Sequence, residues 1–405
     1  MTTTINNEHK KLNVPNLRFP EFLGEWEKQK LCDVSSIVGR IGFRGYTTND
    51  IVEKGMGAIA LSPTNIVNNQ LTYDKENTYI SMSKYEESPE IMIKRGDVIF
   101  VKTGSTVGKV AYVDKMICKT TLNPQVVVLK DIKCDNYILS VIMSTRNFQN
   151  KIQRITVGGA VPTLSQVAMG NIFISLPAAK EQEKISKFIS LLDERITTQN
   201  KIIEDLKKLK SAIIEIEYTP NAKTTSHIGD IIEQISKRNK NNAIQNVLSV
   251  SNRQGFIKQS DQFENRNVAS EDTSNYKIVE QNDFAFNPAR INVGSIARLT
   301  TFQRGIVSPM YICFRTQENV APEYIDYFFE SKHFYCEIQK RLEGSVRQCL
   351  SFEGLCNIPL SLPSLEMQQR IGTRLLTLGL KIKMETDLLE LLNKQKQYLL
   401  RQMFI

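Results

Sequence analysis

The chain repeats itself, and the repeat constrains its fold more than any other feature. Gly96-Asp97 falls on Asn282-Asp283, a shift of 186 residues (282 − 96). The agreement continues with Phe100 on Phe286, Val107-Gly108 on Val293-Gly294, and Ala111 on Ala297. Leu122-Asn123-Pro124 then falls on Val307-Ser308-Pro309, each leading into a strand-like run, QVVVLK and MYICFR. Tyr137-Ile138 matches Tyr324-Ile325, Leu164-Ser165 matches Leu350-Ser351, and Asn171-Ile172 matches Asn357-Ile358. The tripeptide SLP closes each copy, at Ser175–Pro177 and Ser361–Pro363. A chain of 405 residues is too long for one ordinary domain. The repeat says that its main parts are alike.

Each copy ends in a helical pattern, opened by Gln182-Glu183-Lys184-Ile185 and by Gln368-Gln369-Arg370-Ile371. In the first, positions 185, 188, 192, 195, 199, 202, 206, 209, 213 and 216 are apolar except Arg195 and Gln199. In the second, positions 371, 375, 378, 382, 385, 389, 392, 396, 399 and 403 are apolar except Glu385 and Lys396. Steps of three and four sustained over several heptads predict a coiled coil. Two matching stripes in one chain can close on each other, so an antiparallel pair with a pseudo-twofold relation is predicted. Gly372 and Gly379 weaken the second helix slightly. Helices of this length span roughly 55 Å at 1.5 Å per residue.

Residues 15–178 and 224–364 hold short strand-like runs between Gly, Asn, Pro and Ser clusters. They are GAIALSP, DVIFVK, KVAYVD and QVVVLK, then NVLSVS, DFAFNP, SIARL and MYICFR. Helix-like segments follow at Tyr137–Ile152 and Tyr324–Leu342. Each copy therefore reads as an α+β module with mostly antiparallel strands. The predicted organisation is a first domain over 1–179, a central helix over 180–217, a second domain over 218–364 and a C-terminal helix over 365–405.

One stretch imitates a nucleotide site. Gly104-Ser105-Thr106-Val107-Gly108-Lys109 resembles a phosphate loop, but one residue is missing between the glycines, and Val110 stands where a magnesium-binding hydroxyl belongs. The loop should also open a helix, whereas Val107–Val113 reads as a strand. In the second copy Gly104 becomes Arg290 and Lys109 becomes Ser295. A phosphate cradle would not survive that exchange, but a hairpin with a variable tip would. Asn123-Pro124-Gln125-Val126 and Ser308-Pro309-Met310-Tyr311 likewise fall short of the amino-methyltransferase motif, because both lack its second proline. The three histidines are far apart in sequence, and the seven cysteines form no CxxC pair, so neither a metal site nor a disulfide framework is expected. No apolar run of about eighteen residues and no signal peptide is present, so no membrane contact and a cytoplasmic location are expected. The net charge of +9 suits a polyanionic partner, although acids and bases balance within residues 217–365.

The order of these features resembles the specificity subunits of type I restriction–modification systems over essentially the whole chain. The resemblance rests on the opening LRFPEFLGEWEKQKLCDV (Leu17–Val34), the GDV hairpin, VSPMY (Val307–Tyr311), the two SLP boundaries and the repeated long helix. It implies two target recognition domains, each reading half of a split DNA sequence, with the paired helices setting the unread spacer. It implies two methyltransferase subunits that bring S-adenosylmethionine and methylate adenine. It also implies motor-nuclease subunits, with ATP and magnesium, that cleave unmodified double-stranded DNA. This chain would then hold no catalytic residue and no cofactor. The rival reading is a scaffold whose repeated domains bind protein.

DNA binding needs Lys and Arg for phosphates, and Arg, Asn, Gln, Ser or Thr for base edges. The first-copy candidates are Arg40, Arg44 and Tyr46 in GRIGFRGYTT, then Lys102, Thr103, Ser105, Thr106 and Lys109 on the hairpin. Arg154 opens a further loop, RITVGGAVPT. The second-copy candidates are Lys237, Arg238 and Lys240, then Arg253 and Gln254. Asn287, Arg290 and Asn292 lie on the equivalent hairpin, and Ser345, Arg347 and Gln348 in the last loop.

Overall fold

A computed structural model describes residues 12–73, 76–219, 226–252, 254–262, 272–344 and 348–405. It forms two compact units, Met1–Thr198 with Glu390–Ile405, and Gln199–Leu389. The boundary falls inside both long helices, Ala179–Glu217 and Leu365–Met403. Each unit therefore holds one globular module and a portion of both helices.

The main sheet of the first unit runs in the order Ser36–Gly39, Val126–Lys130, Val98–Val101, Val110–Tyr112, Gln70–Leu71, Ile66–Val67. The second unit repeats its first four strands as Ile232–Ile235, Ile312–Thr316, Phe284–Phe286 and Ile296–Arg298. The repeat holds to single-residue register. Val98 pairs with Tyr112 and Leu129, and Phe284 pairs with Arg298 and Phe314.

Val98, Ile99, Phe100 and Val101 are all fully buried, because both faces of the sheet are covered. Val98 and Phe100 join the helical residues Ile138, Leu139 and Met143 in one cluster. Ile99 and Val101 join Ile59, Leu61 and Ile66 in another. This explains why DVIFVK is a continuous apolar run rather than an alternating one.

A second sheet of four strands flanks each main sheet. In both, one pairing is parallel, with Leu122 opposite Leu61 in the first unit and Val307 opposite Leu248 in the second. Each helix-like segment is two helices. Thr145 and Ser331 break them by serving as N-caps, with their hydroxyls accepting from Phe148 N and Phe334 N.

The SLP boundaries are the points where each module closes on its own start. Glu27–Lys30 pairs antiparallel with Phe173–Leu176, and Ser226–His227 with Pro359–Leu360. The glutamine that follows clasps the junction. Gln182 accepts from Asp135 N at 2.8 Å and donates to Pro177 O at 2.8 Å. Gln368 does the same with Ala321 N and Pro363 O, both at 2.9 Å.

Helix packing in the two units follows the predicted stripe of the C-terminal helix, whose ten positions are all buried or half-buried. The central helix needs a correction. Positions 185, 192, 199, 206 and 213 face inward, but 188, 195, 202, 209 and 216 face solvent. Ile189, Ile196, Ile203, Lys210 and Ile214 take their places. Steps of three-then-four and four-then-three fit a helical period equally well, and apolar residues occupy both alternatives. In the second unit Gln199 donates to the Glu385 carboxylate at 2.6 Å, while Glu217 pairs with Arg374 at 3.7 Å. Residue numbers rise on one helix as they fall on the other, so the pairing is antiparallel. In the first unit Lys396 pairs with Asp193, which also accepts from the Tyr137 hydroxyl at 2.7 Å. Gln199, Glu385 and Lys396, apparent flaws in the apolar stripes, are thus polar partners across the helix pair.

Candidate nucleic-acid interface

The hairpin Lys102–Lys109 joins the two central strands of the first main sheet. It turns on Gly104 and Gly108, at φ +102° and +100°. A Cβ on Gly108 would stand 2.3 Å from Gln149 Oε1, and Gln149 Nε2 donates to the Gly108 carbonyl at 2.8 Å. Its counterpart Gly294 also has positive φ, +86°. The retained Val-Gly pair therefore marks a backbone requirement. The retained aspartates are structural too. Asp97 and Asp283 accept from Lys94 N and Glu280 N, and pair with Lys130 and Arg315. Burial pushes both carboxyl groups up from the ordinary aspartate value.

A second loop is zipped onto the hairpin. Val157 and Thr163 bridge to each other, Thr103 bridges to Thr163, and Gly104 N donates to Pro162 O at 2.9 Å. Leu164 N donates to Lys102 O at 2.8 Å. The second unit builds the same pair, in which Glu343 bridges to Cys349 and Leu350 N donates to Pro288 O at 3.0 Å. Lys102 and Pro288, like Leu164 and Leu350, are one repeat apart. The backbone joint is preserved while the side chains around it change.

These joints gather some candidates and leave others aside. Lys102, Thr103, Ser105 and Thr106 lie on the hairpin joined to loop 156–163, and exposed Arg154 sits at the end of the helix that feeds this loop. Lys109 is exposed, but its ammonium is tethered to Ile66 O at 3.3 Å. In the second unit exposed Arg290 and half-buried Asn292 share the hairpin joined to the loop of exposed Gln348. The turn bearing exposed Gln254 adjoins that hairpin, where Asn252 Nδ2 donates to Val293 O at 3.3 Å. Lys237, Arg238 and Lys240 are exposed along the strand Lys277–Glu280, with Arg238 donating to Asn275 at 3.0 Å. Arg253, Ser345 and Arg347 lie outside the described residues.

Two candidates are corrected. Arg40 is only 6 % exposed, and its guanidinium donates to Leu122 O, Arg44 O and the Thr121 hydroxyl at 2.8–3.1 Å. Burial pulls its pKa down, and the Tyr46 ring lies 5.4 Å below it. It braces the module from within. Asn287 is also 6 % exposed, and its side-chain oxygen accepts from Ala289 N. Arg44 is half-buried, with its guanidinium near Glu87 O and the Glu90 carboxylate. Half-buried Tyr46 has its hydroxyl pKa raised by burial.

The structure also shows residues that sequence reasoning passed over. Val157 and Val161, on the zipped loop, are 69 % and 60 % exposed, and Val293, on the second hairpin, is 53 % exposed. Apolar residues in a sequence read as core, so only their placement reveals them. Burial pushes the thiols of Cys134 and Cys313 up to about 11 and about 12, so neither is a thiolate nucleophile at neutral pH. No cluster of metal-ligating side chains occurs among the described residues. No helix among them is long and apolar enough to cross a membrane.

Residues 24–208 match the family described as "Type I restriction modification DNA specificity domain". The putative type I restriction enzyme MjaX specificity subunit of Methanocaldococcus jannaschii is 24 % identical over 423 residues, covering 96 % of this chain and 93 % of its own. Along most of its length the chain is thus similar to type I restriction–modification specificity subunits. The MjaVIII specificity subunit of the same organism is 24 % identical over 339 residues, covering 76 % of each chain. The fold is similar to that in a crystal structure of the type I restriction–modification system S subunit from M. genitalium, with a TM-score of 0.60 at 15 % identity. That likeness covers 97 % of this chain and 99 % of the other.

Proposed function

We propose that this specificity subunit reads a two-part target on double-stranded DNA, one part with the hairpin-and-loop pair of each unit. Two methyltransferase subunits carry S-adenosylmethionine and methylate adenine in the target. Motor-nuclease subunits, using ATP and magnesium, cleave DNA that lacks the mark. The chain itself supplies recognition and no chemistry.

The observation that carries this reading is the joint built twice, by the Lys102–Leu164 and Pro288–Leu350 hydrogen bonds, beneath side chains that differ between copies. A fixed joint with variable side chains suits a reader with two different half-targets. Arg154, Lys102 and Arg290 neutralise phosphates or read guanine. Asn292 and Gln348 have the donor–acceptor pattern for adenine, and Val157 and Val161 suit a thymine methyl group.

Arg290→Ala tests the reading in the methyltransferase-bound complex, with binding measured across a panel of single-base target variants. Discrimination at one position of one half-target should fall by about 1–3 kcal/mol, with the other half unchanged. A panel identical to wild type counts against the assignment. Binding that ignores salt would instead favour a protein scaffold, because phosphate contacts release counterions.

A further inference from the structure

The first unit holds a cleft of about 450 Å³ between the helix Arg146–Ile155 and the last turns of the C-terminal helix. Arg146, Asn147, Gln397 and Arg401 line it, with Thr145 at the helix N-cap and no acidic residue. Neither arginine has an ion pair or side-chain hydrogen bond among the described residues, and the Arg146 amide has no acceptor there. Two guanidiniums and a helix N-terminus give the cleft a positive field, offset only in part by the C-terminal end of the long helix that carries Arg401.

The second unit shows what belongs at such a place. The 186-residue shift carries Thr145 onto Ser331, Arg146 onto Lys332 and Arg401 onto Glu215. Ser331 caps its helix as Thr145 does, and the Glu215 carboxylate accepts from the Lys332 amide at 3.0 Å. That unit thus closes its helix terminus with an anion from its own long helix. The first unit has the equivalent amide but presents a cation, Arg401, where the anion would come from.

We propose that this cleft receives a carboxylate from an acidic segment of a partner protein. The Arg146 amide and the guanidiniums of Arg146 and Arg401 grip it, and Leu400 and Phe404 floor the site. A protein carboxylate fits better than a nucleic-acid phosphate, because the group in the equivalent place is a glutamate. The cleft also lies at the N-terminal end of a ten-residue helix whose far end feeds loop 156–163. That helix separates the two by about 15 Å. The proposal does not depend on what the loops read.

Trp26 is the only tryptophan, and its ring stands edge-on to Phe404 with centroids 6.0 Å apart, so its emission reports on the cleft. The full-length chain is titrated at constant ionic strength with a hexaglutamate peptide and, separately, with inorganic phosphate, followed by Trp26 emission and by calorimetry. The peptide should saturate, Arg401→Ala should bind it about tenfold more weakly, and Arg401→Lys should keep most of the affinity. Arg401→Glu, which copies the second unit, should bind no peptide and should melt no lower than wild type. The proposal is overturned by unchanged peptide affinity in Arg401→Glu or by phosphate saturating at lower concentration than the peptide. It is also overturned by the absence of both heat and emission change in the wild type up to millimolar peptide.

Discussion

At the residue scale, Arg40 and Arg290 separate two jobs that an arginine does in a loop. Arg40 donates three hydrogen bonds inside the first module, whereas Arg290 stands exposed on the second hairpin. Hydrogen bonds involving a charged group contribute about 1.5–3 kcal/mol each, and their buried acceptors would be left unpaired. Arg40→Ala should therefore lower the denaturation free energy by several kcal/mol, while Arg290→Ala should shift it by about 0.5 kcal/mol or less. Urea melts of both variants check the contrast, and equal stabilities would place Arg40 wrongly. Gly108→Ala should be costly as well, because positive φ and the Gln149 contact both oppose a Cβ. Strain of that kind costs about 1–3 kcal/mol, and Gly104→Ala, with only a 3.4 Å neighbour to meet, should cost less. Residue roles of this sort were the least legible part of the sequence. Arg40 and Arg44 occupy one short motif, and only tertiary packing decides which of them is enclosed.

At the scale of elements, more could be read. Continuous apolar runs placed the central strands because both faces of each main sheet are covered. The repeated Gln-x-x-Ile opening marked the helix starts, although the clasp that each glutamine forms depends on tertiary partners distant in sequence. Gln182→Ala removes partners from Asp135 N and Pro177 O, and each buried group left unsatisfied costs about 1–3 kcal/mol. Thermal melts of that variant should show the loss, and a melt matching wild type would make the clasp incidental. The central helix was legible only up to its phase. Ile203 is 7 % exposed and Ile202 is 38 % exposed, yet a three-four count selects Ile202. Ile203→Asp should destabilise the second unit by several kcal/mol, since it buries an unpaired charge, whereas Ile202→Asp should be tolerated. The reverse order in denaturation would restore the original stripe.

At the scale of the whole molecule, the duplication is the central fact. One backbone design recurs, down to strand register, glutamine clasp and loop joint, while tip residues such as Lys109 and Ser295 diverge. The duplicated plan was visible in the sequence because strand runs, turn glycines and boundary prolines recur at a fixed spacing. On the proposed reading the bases were not visible, because the side chains that would read them occupy the few positions that the repeat does not preserve. If the paired helices set the unread spacer, four residues inserted near Gln199 should alter spacer length and leave the two half-targets as they were. Mapping methylated adenines in cells carrying the wild-type gene, that insertion, or no gene is the decisive test of two-part recognition by this chain. The expected result is a two-part motif that disappears without the gene and returns with the same halves at a new separation in the insertion variant. Methylation at a continuous motif, or an unchanged pattern in cells lacking the gene, would contradict it.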